Sequence, residues 1–90
     1  MMKAIITVVG ADKVGIIAGV SNILADSGIN ILDISQTIMD NMFTMIMLTD
    51  TRGATESFSA VSDKLDALSE KMGLSISIQR EDVFNSMHRI

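Results

Sequence analysis

Ninety residues can enclose one hydrophobic core but not two, and 48% of them are apolar against 20% charged, more than a domain this small can hide from water. A net charge of −4 and a pI near 4.6 exclude the basic face that nucleic acid or an anionic membrane would require. With no cysteine in the chain, disulfides and thiolate metal sites are excluded as well.

Met1-Met2-Lys3 leads straight into Ala4–Val9, a run too short for a signal peptide, and no apolar stretch approaches membrane-spanning length. A cytoplasmic protein is expected. Lys3 to Val9, β-branched and apolar, predicts a largely buried strand ended by Gly10. Gly10–Gly15 is a loop bounded by two glycines. From there Ile16, Ile17, Val20, Ile23 and Leu24 adopt helical spacing, predicting a helix from Val14 to Ser27 with Gly28 at its left-handed stop. Asn30–Met39 is a second strand, with Leu32, Ile34 and Ile38 alternating against Asp33, Ser35 and Thr37. Gln36 falls on the inward side of that alternation, so it should meet a buried partner or mark a bulge. Asp40-Asn41 supplies turn chemistry, and Phe43–Thr49 returns antiparallel.

After a loop at Asp50–Gly53, Phe58, Val61, Leu65, Leu68 and Met72 predict a second helix over Thr55–Met72, ended by Gly73. Leu74, Ile76 and Ile78 alternate with Ser75, Ser77 and Gln79 as a fourth strand. In the tail, Glu81–Ile90, Val83, Phe84, Met87 and Ile90 again fall at helical spacing. The order is βαββαβ plus a tail: an α+β, ferredoxin-like sandwich with a four-stranded antiparallel sheet and both helices on one face. The core spans 3–80 of a single domain, 1–90, and the tail 81–90. Strand three is apolar on both faces (Phe43, Met45 and Met47; Ile46 and Leu48), as is strand one. Two helices cover one face, so the tail or a second subunit is needed on the other.

This topology hosts unrelated functions, and chemistry removes several. Base stacking on an RNA-recognition sheet needs aromatics on strand one, which has none. A soft-metal chaperone needs cysteines in the first loop. An acylphosphatase-like site needs an Arg there, and this loop offers only Lys13. His88, the sole histidine, has no evident co-ligands, and no nucleophile–base pair stands out. No catalytic residue, metal or cofactor is expected.

The first loop remains. Its glycines admit close approach of a ligand, and the helix start presents N–H groups suited to a carboxylate. Asp12 either accepts from a ligand ammonium or caps the helix; Asn30 either offers a donor and acceptor or serves the turn beside Gly28. Gly10-x-Asp12-x-x-Gly15-Ile16-Ile17, followed by Ile23–Ile34, resembles the signature of ACT domains. The stretches Ser35–Met39, Phe43–Met45 and Phe84–Ile90 resemble a narrower group, standalone single-ACT proteins similar to the glycine-cleavage repressor type of regulator. Relatives commonly place Arg-Pro where this chain has Lys13-Val14.

The resemblance implies a homodimer of side-by-side sheets that senses an amino acid at its interface. The implied ligand-binding residues are Ala11, Asp12, Lys13, Val14, Gly15, Ile16, Asn30 and Ile31, with a regulated protein partner reading the result. A ligand-free interaction module is the alternative.

Overall fold

The computed structural model describes residues 3–87, with the side chains of Ser86 and Met87 outside the description. Seven elements follow in chain order: β1 (Lys3–Ala11), α1 (Ile16–Asp26), β2 (Asn30–Met39), β3 (Met42–Asp50), α2 (Phe58–Met72), β4 (Leu74–Arg80) and α3 (Glu81–Met87). The strands form one antiparallel sheet in the order β2-β3-β1-β4, the predicted ferredoxin-like arrangement with a short C-terminal helix. No helix among the described residues is long and apolar enough to cross a membrane.

The core lies between the sheet and the two longer helices. Ile6 and Val8 of β1, Phe43, Met45 and Met47 of β3, and Ile76 of β4 supply the floor. Ile16, Val20 and Leu24 of α1, spaced four apart, and Val61 and Leu65 of α2 close over it. Thr49, buried on the same side, donates its hydroxyl to the Ala4 carbonyl at 2.8 Å.

The helix ends differ from expectation for local reasons. α1 begins at Ile16, not Val14, because Gly15 sits in the left-handed region at φ 96° and cannot join the helix. α2 begins at Phe58, not Thr55, because Ser57 caps it, its hydroxyl accepting from the Ala60 N–H at 3.1 Å. α1 ends as predicted around Gly28: the Ile29 N–H donates to Leu24 and the Gly28 N–H to Ala25, with Gly28 at φ 73°.

β2 departs most from its pattern. A bulge between Ile31 and Asp33 shifts the register, so Ile31, Ile34, Gln36 and Ile38 share the helix side opposite Thr49, Met47, Met45 and Phe43. Leu32 is the displaced residue. Yet Ile34 and Ile38 remain 40% and 52% exposed, because β2 is the sheet's edge and α1 touches it only sparsely. Gln36 is on the inward side as expected, but exposed.

On the opposite face α3 lies against β1 and β4, at the end where Ile5 is buried. The expected packed tail is only part-formed: Phe84 is half-buried but Val83 is exposed. The Met87 side chain and Ile90 lie outside the described residues, as does His88.

Candidate ligand-binding cleft

β1 delivers the chain to one corner of the sheet, and α1 leaves from it. Between them, Asp12–Gly15 crosses beside the β2–β3 turn, and the Asp12 N–H donates to the Asn41 carbonyl at 2.7 Å. That bond pins the loop to the hairpin, whose Asp40 adopts φ 55°. A cleft of about 240 Å³ opens between this loop and β2. One wall is Asp12, Lys13, Gly15 and the first turn of α1 (Ile16, Ile17, Ala18); the other is Gln36, Ile38 and Phe43.

The start of α1 is bare. Gly15 is its N-cap, no side chain bonds to its first turn, and that turn carries no acidic residue. Asp12 is therefore not the helix cap. The first N–H groups of a helix have no partner within it, and they carry the positive end of its dipole. Lys13 turns away: its ammonium donates to the carbonyl of Met72, the last residue of α2, where a cation complements the negative helix end.

Not every expected residue is in this cleft. Asp12, Lys13, Gly15 and Ile16 come together. Ala11, opposite Met42, is the strand end from which the loop departs. Val14 projects into solvent at 99% exposure. Asn30 pairs with Asp50, and Ile31 with Thr49, at the far end of β2. Eight residues separate Asn30 from Ile38, about 25 Å of strand. Ile17, Ala18, Gln36, Ile38 and Phe43 were not among the expected ligand residues. For Gln36, Ile38 and Phe43 the Asp40-Asn41 turn was the signal, since folding β2 onto β3 there brings them beside the first loop.

A somewhat larger cleft, about 280 Å³, lies at the other end, lined by Ile29, Thr51, Ala54, Glu56, Ser57, Phe58, Val61 and Ile78. Its polar groups already have partners. Glu56 accepts from the Ser27 hydroxyl and pairs with Lys64, and Ser57 caps α2. Of these two clefts, the smaller one combines a carboxylate with an uncapped helix start. Its lining can hold opposite charges and an apolar group, but it contains no nucleophile beside a base. Among the described residues no cluster of three or more His, Cys, Asp or Glu could hold a metal ion.

Comparison with known proteins agrees in scale and topology. A family model described as the ACT domain matches residues 3–79. A UPF0237 protein of Clostridium acetobutylicum is 64% identical over 89 residues, covering 99% of this chain and all of its own length. The structure of an ACT domain protein from Streptococcus pneumoniae is 43% identical, with a TM-score of 0.78 over 92% of this chain and 93% of that one. A candidate glycine cleavage system transcriptional repressor is 28% identical, with a TM-score of 0.76 over 88% of this chain and 45% of its own.

Proposed function

The chain belongs to the ACT-domain family, and from that premise we propose that it senses a free amino acid at the interface of a homodimer. ACT domains are ligand-binding regulatory modules and not an enzyme family. The observation that carries the finer reading is the cleft, in which Asp12 and an uncapped helix start line one open space. A carboxylate suits an ammonium, and bare amide N–H groups suit a carboxylate; a zwitterion presents both.

The dimer completes this reading. β2 is an edge strand with Leu32, Ile34 and Ile38 exposed, a surface that soluble proteins cover or blunt. Pairing two β2 edges antiparallel about a two-fold axis near Ile34 would set Asn30 of the partner subunit beside Ile38. The two ends of the expected site, distant within one chain, would then meet across the interface. A ligand bridging them would bind one dimer geometry better than another, and a partner protein would read that shift.

Thermal-shift measurements over a panel of common amino acids test it. Ligand at about a hundred times its Kd should add roughly 2.7 kcal/mol. Asp12→Ala should abolish that gain at little cost in stability, while Asp66→Ala, on the exposed side of α2, should leave it intact. Ile46 and Met42, 40% and 51% exposed on the face away from α1 and α2, favour the second reading, a ligand-free interaction module. A panel in which no amino acid stabilises the protein would select that reading.

A further inference from the structure

We infer that the amino acid this cleft selects carries an uncharged aliphatic or thioether side chain, of about leucine or methionine size. The inference rests on the sensor reading above and narrows its ligand. The charges come first. Among the described residues Asp12 is the one carboxylate in the lining, and the one cation there, Lys13, is bonded to the Met72 carbonyl. Once Asp12 holds the ligand's ammonium and the helix start its carboxylate, the described lining of this chain keeps no free charge for a third ionised group, and Asn30 of the partner subunit, which the proposed pairing brings beside Ile38, is neutral. An acidic or basic ligand side chain would lie unpaired against Ile16, Ile38 and Phe43, an unfavourable burial.

The walls come second. Ile17 and Ile38 line the cleft and are 40% and 52% exposed, and Phe43, also in the lining, is only 3% exposed. Gln36 supplies the one neutral polar side chain. A ligand with no side chain would leave that apolar surface wet; each methylene laid on it strengthens binding by roughly fourfold. The volume of about 240 Å³ leaves room for a side chain beyond the zwitterion.

Calorimetry on the full chain tests this with L-leucine, L-isoleucine, L-valine and L-methionine against glycine, L-serine, L-aspartate and L-lysine. Aliphatic and thioether ligands should bind at least tenfold more tightly than the others. Ile38→Ser should weaken L-leucine about tenfold, and Ile38→Leu should restore it. Ile17→Ser, on α1 and away from the β2 edge, should weaken it too, separating a lost wall from a disturbed dimer. Ile46→Ser, on the opposite face, should bind like the parent. If glycine, serine or a charged amino acid binds more tightly than leucine, this inference is overturned while the sensor reading stands. If none of the eight binds, the inference is overturned, and the sensor reading falls with it when the full thermal-shift panel also shows no stabilisation.

Discussion

At Gly28 the backbone has φ 73°, and an added Cβ would stand 2.5 Å from the Gly53 carbonyl oxygen. Both the left-handed conformation and the clash with backbone oppose any side chain there. Gly28→Ala should therefore cost about 2–4 kcal/mol, read as a fall in melting temperature of roughly 4–8 °C per kcal/mol. Gly15 differs: a Cβ there would meet nothing nearer than the Met72 Cε at 4.0 Å, but φ is 96°. A substitution at Gly15 thus strains the loop whatever the cleft holds. Gly15→Val would confound folding with binding, whereas Asp12→Ala, at an exposed side chain, separates them.

Among the elements, the segment joining β3 to α2 carries the ion pairs that matter. Arg52 donates to the nearly buried Asp50 carboxylate from Nε (2.9 and 3.1 Å) and from its backbone N–H, and Nη2 lies 2.7 Å from Oδ2. The side-chain bond from Arg52 is the main cause holding the Asp50 carboxyl below its ordinary range. Lys64, then the Ser27 hydroxyl, does the same for Glu56. In both cases the folded value is the lower one. Stability from these pairs is present above the unfolded-state value and is lost as pH falls through the folded one. Melting temperature should hold from pH 7 to about 5 and fall below about 4, where free carboxyls protonate. Arg52→Ala should lower the pH 7 value and flatten the acid side; an unchanged acid slope would show that other carboxylates govern it. The C-terminal helix makes a separate prediction. α3 lies against β1 and β4 with Phe84 half-buried, so removing 81–90 should cost on the order of 1.5–3 kcal/mol, one apolar side chain's burial. An unchanged melting temperature would mean that the helix adds nothing to the fold.

For the whole molecule the question is what covers β2. A chain of 9.7 kDa should scatter light at about twice that mass at micromolar concentration. Ile34→Lys would set two ammonium groups near each other across the two-fold axis proposed above, and like charges opposed on paired strands repel. That variant should run as a monomer and lose ligand stabilisation while keeping its helical and strand spectrum. A parent protein at 9.7 kDa would remove the shared interface. An Ile34→Lys variant that stays dimeric would place the interface on another surface.

Element order and the sheet were legible in the residues. Spacing records which way each side chain faces within its own segment: Ile16, Val20 and Leu24 mark a buried helix stripe, and Gly28 marks its end. Spacing says nothing of how many neighbours a segment has. Leu32, Ile34 and Ile38 read as core, but only the assembled sheet displaces Leu32 at a bulge and puts β2 at the edge, where α1 covers Ile34 and Ile38 sparsely and leaves them open. The same holds for the candidate site. Asp12 and Gly15 are three positions apart in sequence and line the same cleft. Asn30 and Asp12 are separated by a helix in the chain and by the length of a strand in space, whereas the hairpin at Asp40-Asn41 carries Gln36 and Ile38 back to the loop. Local periodicity is set by backbone geometry and can be read along the chain; proximity between distant segments is set by strand pairing, which only the folded sheet decides.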